Sequence, residues 1–246
     1  MSTAEARVRT RRSGSCRRRE WAVWAAALGA AGLLFSIWPE LDLMASAAFF
    51  RPGSGFVGND YAVVRAVHEV VPWLGRGAGL LVPILLVWRR PRWLGPRWSR
   101  RLLALGLAMW LGTGLAVNGL LKEGWGRARP VAVQAFGGTA TFTPALHRSD
   151  QCAHNCSFVS GHAATGYTLL ALGLFGAPAT RRRWLWVGAV AGLSLSLLRV
   201  MQGGHFLSDT LFSGLTVWLC CALLREAWLR LRLRALRRHA AARSGD

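Results

Sequence analysis

Lysine is almost absent from this chain: of 31 basic residues in 246, only Lys122 is not an arginine. Carboxylates are scarce too, 11 against those 31, and no cluster of them suggests a Mg2+ site. The five cysteines and six histidines do not fall at zinc-ligand spacings. Neither a metal nor an organic cofactor is therefore expected. The lone lysine has two readings: a biased, arginine-rich composition, or a position that needs a compact ammonium where a planar guanidinium would not serve.

What the chain has is apolar length. It is 52% hydrophobic with 13 tryptophans, and its apolar stretches approach the roughly 20 residues that a helix needs to cross a bilayer. The expected fold is an all-α polytopic membrane bundle with six spans, at 21–38, 70–88, 102–121, 163–180, 184–201 and 206–224. The third and sixth are the most regular, whereas the second carries Arg76 and two prolines and the fifth is short. A soluble helical bundle is the competing architecture, but it would expose more charge. The division expected is a basic tail at 1–20, a six-span domain at 21–226 and a second basic tail at 227–246.

Arginine placement orients this bundle. Seven arginines lie in residues 1–20, six in 89–101, three at 181–183 and seven in 225–243, and positive residues beside short loops stay in the cytoplasm. Both termini are expected on that side. The net charge of +20 is then topology signal plus attraction to anionic lipid head groups, and it gives no reason to invoke nucleic acid. Residues 1–38 also have the outline of a signal peptide, with Ala45-Ser46-Ala47 as a small-residue site. The apolar run is long for that, and Trp38-Pro39-Glu40 separates it from the site, so an uncleaved first span is expected.

Three short clusters then fall on the face opposite the basic loops, the periplasmic face of a bacterial inner membrane: Lys122-x6-Arg129-Pro130, Ser160-Gly161-His162 and Arg199-x5-His205-x3-Asp209. Cations are disfavoured on that face, so Lys122, Arg127 and Arg129 point to an anionic partner, with simple loop solvation as the alternative for Arg127. His205 and Asp209 share a helical face at four-residue spacing, either as a satisfied buried pair or as a nucleophile whose second ring nitrogen the carboxylate orients. Ser160 fits an N-cap, Gly161 a close approach to an anion, and His162 either a surface position or a proton donor to a departing alkoxide. Arg199, ahead of the Gly203-Gly204 bend, and Arg129 can each grip phosphate oxygens bidentately. The loop 122–161 has no apolar run and is expected to cap the site.

In order and spacing these clusters resemble the type 2 phosphatidic acid phosphatase (PAP2) family, which includes bacterial lipid phosphatases and vanadium-dependent haloperoxidases. That resemblance implies a phosphohistidine on His205, oriented by Asp209, with His162 as general acid and Lys122, Arg129, Ser160, Gly161 and Arg199 holding phosphoryl oxygens. The family's second motif usually has proline where this chain has Val159. Phe136-Gly137-Gly138, Phe142-Thr143-Pro144 and Asn155-Cys156-Ser157-Phe158-Val159 look like the branch with bacterial lipid A phosphatases. The implied partners are the bilayer and a membrane lipid phosphate. Undecaprenyl pyrophosphate and phosphatidylglycerophosphate are alternative substrates of the same chemistry; a lipid phosphotransferase and a non-catalytic lipid-binding or transport protein are alternative functions.

Cys152 and Cys156 sit in the periplasmic loop within disulfide reach at helical spacing, where a loop-closing disulfide and two free thiols both fit. Cys16, Cys220 and Cys221 read as reduced packing residues.

Overall fold

The computed structural model describes residues 3–88 and 95–244. Helix α1 (Thr3–Ile37) runs through the expected basic tail into an Ala/Leu-rich stretch and stops where Pro39 disfavours helix at the residue before it. Helix α2 (Glu40–Ala47) follows at once, with Glu40 and Asp42 in its first turn where carboxylates complement the helix dipole. A two-residue hairpin, β1 (Phe50–Arg51) against β2 (Gly55–Phe56), is the sheet among the described residues.

Helix α3 (Ala62–Trp88) contains Pro72 and Pro83. Helix α4 (Pro96–Ala108) starts on a proline, whose missing N–H is harmless in the first turn, and continues as a π-helix over Met109–Leu121 before the short α5 (Lys122–Trp125). Helix α6 (Gly161–Tyr167) passes into a 3-10 stretch, Thr168–Gly173. Helix α7 (Pro178–Met201) again opens on proline, and α8 (Leu207–Ser244) closes the chain.

Among the described residues, four helical stretches are long and apolar enough to cross a membrane: Arg18–Ile37, Pro96–Ala132, Pro178–Met201 and Leu207–Leu236. They coincide with the first, third, fifth and sixth expected spans. The fifth, expected to be short, is a full 24-residue helix. The other two fall on α3, with Arg76 and its prolines, and on α6, whose seven residues and six-residue 3-10 continuation are short of a roughly 20-residue crossing. The fold is an all-α membrane fold.

Apolar side chains face outward, as lipid allows; Trp73 is 71% and Val63 69% exposed. The interior is built from small residues of α6, Ala163 and Ala164, against Phe158, Val159, Phe212 and Val217. A second aromatic cluster, Phe56, Phe136 and Phe206 with Phe50 and Phe142 beside it, fastens the hairpin and the 126–160 loop to the start of α8. Gly126, at φ 68°, ends α5 where any Cβ would overlap the Ser149 carbonyl, and so turns Arg127 into the interior.

Cys152 and Cys156 form a disulfide with Cα atoms 5.6 Å apart. Cys221 is buried as a free thiol and Cys220 partly so. The Cys16 side chain lies outside the described residues.

Candidate active site

A cavity of about 780 Å³ brings together residues from every cluster: Lys122, Arg129, Gly161, His162, Arg199 and His205 line it. Lys122 arrives at the end of the π-helix, His162 in the first turn of α6, and Arg199 in the last turn of α7.

His205 is 1% exposed and sits in the short link before α8. Its Nδ1 donates to the Ser157 carbonyl at 2.7 Å, which assigns the proton to Nδ1 and leaves Nε2 with a free lone pair. Burial, reinforced by the positive charges of Arg199, Lys122 and Arg129, pushes its pKa well below the usual histidine range, so the ring is neutral.

Asp209 is not the direct partner that a four-residue helical spacing implies. Its Oδ2 is 4.0 Å from His205 Nδ1, beyond hydrogen-bond reach. Instead, Oδ2 accepts from Ser157 Oγ at 2.5 Å and the Phe206 N–H at 2.8 Å. The carboxylate therefore anchors Ser157, whose carbonyl holds the imidazole. Its other oxygen accepts from Arg127 Nη1 at 2.6 Å.

Arg127 is no solvated loop residue: it is fully buried, with Nη2 donating to Asp42 Oδ2 at 2.8 Å and Nε to the Thr143 carbonyl at 2.8 Å. Its guanidinium lies 4.3 Å from the centre of the Phe206 ring. Asp42 also takes hydrogen bonds from the Ser208 N–H and hydroxyl, which ties α2 to α8.

Arg199 is 5% exposed, and its Nη1 donates to Gln202 Oε1 at 2.6 Å and to His68 Nδ1 at 2.9 Å. Its Nε is buried with no protein partner. A buried cation that lines a cavity and is bonded to neutral groups is arranged for an anion. Arg129 donates from Nε and Nη2 to the Asn155 carbonyl, at 3.2 and 2.8 Å. Asn155, itself at φ 52°, lies inside the five-residue disulfide ring.

Burial lowers the His162 pKa to about 4, partly offset by a hydrogen bond to the His68 carbonyl. Ser160 is fully buried and caps α6, accepting from the Ala163 N–H at 3.4 Å. It does not line the cavity, whereas Gly161 does.

His68, which belongs to no motif, and Asn155, quoted only for the branch resemblance, line the cavity as well. Arg127, noticed only as an anomalous charge, gave no sign of Asp42, 85 positions earlier.

The fold is that of a membrane protein, and the comparisons with known proteins make its class a phosphoric ester hydrolase. Residues 101–232 match the PAP2 superfamily, and the chain belongs to that superfamily. It is similar to a lipid A 4'-phosphatase of Francisella tularensis subsp. novicida (strain U112), 32% identical over 199 residues that cover 77% of this chain and 86% of the relative. A protein of the same name from Rhizobium leguminosarum is 30% identical over 74% of this chain and 85% of its own length. Another, from Rhizobium etli, is 43% identical over 47% of this chain and 46% of its own. No solved structure matches the chain.

Proposed function

We propose that this protein removes the 4'-phosphate of lipid A at the periplasmic face of a bacterial inner membrane, through a phosphohistidine on His205. The observation that carries the reading is the convergence of neutral, buried His205 with Lys122, Arg129 and Arg199 in one cavity. The names of the relatives supply the lipid and the position of the phosphate.

In this mechanism the lone pair on His205 Nε2 attacks phosphorus and the P–O ester bond breaks. His162 gives its proton to the departing alkoxide. Lys122, Arg129 and Arg199 neutralise the phosphoryl oxygens as charge builds on them. Neutral His162 then takes a proton from water, whose oxygen displaces His205 and releases phosphate. Asp209 acts one step back, by holding Ser157.

The placement rests on arginine: with six spans and both termini in the cytoplasm, all three clusters share the opposite face. The loop 126–160 covers the site from that side.

The test is incubation of the purified protein with lipid A, undecaprenyl pyrophosphate and phosphatidylglycerophosphate, reading free phosphate and the mass of each product lipid. The expected product is lipid A lacking its 4'-phosphate, with no release by His205→Ala. Release from the other lipids only would overturn the substrate, and full activity of His205→Ala would overturn the nucleophile.

A further inference from the structure

A proline inside a helix lacks the N–H that would bond the carbonyl four residues earlier, so that oxygen is free for another donor. Helix α3 uses this twice. Pro72 frees the His68 carbonyl, which accepts from His162 Nε2 at 2.8 Å. Pro83 frees the Gly79 carbonyl, which accepts from Trp110 Nε1 at 2.8 Å on the wall of the same cavity.

The His68 side chain works alongside its carbonyl. Its Nδ1 accepts from Arg199 Nη1 at 2.9 Å, so the ring is the neutral tautomer with its proton on Nε2. It stacks on His162 with centroids 4.7 Å apart and planes 29° apart. His162 Nε2 is also 3.0 Å from His68 Nδ1, but that lone pair is already taken by arginine, and a carbonyl oxygen can only accept. His162 Nε2 must therefore carry a hydrogen, and any second proton on that ring goes to Nδ1.

We infer that His68 and Pro72 form a positioning device for the phosphatase reaction: the His68 ring holds Arg199 for the phosphoryl group, and the proline-freed His68 carbonyl holds His162 with its transferable proton on Nδ1. When the lipid ester bond breaks, the His162 Nδ1–H bond breaks with it and the hydrogen joins the leaving oxygen. A carbonyl on Nε2 stabilises the protonated ring, and so keeps more of it ready to donate.

The two halves of the device separate experimentally, and the inference rests on the phosphatase reading. Pro72→Ala restores an N–H aimed at the His68 carbonyl and is mild for a helix, so the fold is retained. It is expected to lower kcat about tenfold at pH 7 with little change in KM, and to move the alkaline limb of the pH profile, where activity is lost as His162 deprotonates, down by about one unit. His68→Phe keeps the stack and the carbonyl but loses the acceptor, and is expected to raise KM about tenfold with the pH profile unmoved; His68→Asn, with an oxygen near the Nδ1 position, recovers most of that loss. Unchanged kcat and pH profile in Pro72→Ala, or unchanged KM in His68→Phe, overturns the device. An NMR titration of labelled His162 in wild type and Pro72→Ala needs no substrate. A midpoint that does not fall in the variant refutes the positioning even if the enzyme is active; a midpoint that falls in a protein releasing no phosphate refutes the phosphatase reading alone.

Discussion

Arg127 Nη1 lies 2.6 Å from Asp209 Oδ1 with both side chains fully buried, and the same guanidinium reaches Asp42 at 2.8 Å. One cation thus pairs with two carboxylates from different helices, and through Asp209 it supports Ser157 and the His205 ring. Removing it leaves two buried anions unpaired. Arg127→Met is expected to destabilise the protein by about 3–5 kcal/mol, read as thermal unfolding in detergent. Arg127→Lys is expected to recover little, since an ammonium cannot present separate donors to both carboxylates. A melting temperature unchanged in Arg127→Met would show that the network contributes nothing to stability.

The two histidines of the proposed mechanism give the pH dependence its sign. His162, held at a pKa of about 4, is protonated in only about one molecule in a thousand at pH 7, while His205 is depressed in the same direction and remains the neutral nucleophile. Acidification therefore supplies the proton donor without removing the nucleophile, and kcat/KM is expected to rise as pH falls from 8 towards 5. His162→Gln should lose that rise. Ionisation of the substrate phosphate is common to both proteins, so the ratio of the two profiles isolates His162. A ratio flat with pH would remove His162 as the acid.

The residues whose chemistry is tied to local spacing were legible in the sequence: Lys122, Arg129, Gly161, His162, Arg199 and His205 all reach one cavity. The direct His205–Asp209 bond was misread because four-residue spacing brings side chains together only when both lie on a helix, and α8 starts at Leu207, after His205. Asp42 was illegible because its link to Arg127 is purely tertiary. His68 did leave a trace, the proline four residues on, but that signal acquires meaning only when the freed carbonyl has a donor nearby. Of the six expected spans, four are long apolar helices among the described residues, while the other two fall on α3 and α6, which carry charge, proline or a short register and line the cavity.

The disulfide closes a ring whose Asn155 carbonyl receives both donors of Arg129. Opening the ring frees Asn155 and loosens Arg129 without touching His205. Cys152→Ser with Cys156→Ser, or wild type treated with a reductant, is expected to raise KM by about fivefold to tenfold with a smaller change in kcat. The assay is a kinetic titration with and without reductant. An equal effect of reductant on the double serine variant would assign the change to some other group.

Gly204 sets the position of Arg199 by having no side chain, since a Cβ there would overlap Arg199 Nη2. The guanidinium packs against that backbone while Gln202 and His68 hold its Nη1. Gly204→Ala must therefore act through Arg199. Arg199→Ala is expected to lower kcat/KM by about 100-fold to 1,000-fold, the range for removing one preorganised donor to a developing anion, and Gly204→Ala by a large share of that. The double variant should then lose no more than Arg199→Ala alone, because the glycine matters only while the guanidinium is present. Losses that multiply in the double variant would place the role of Gly204 elsewhere, in the turn itself.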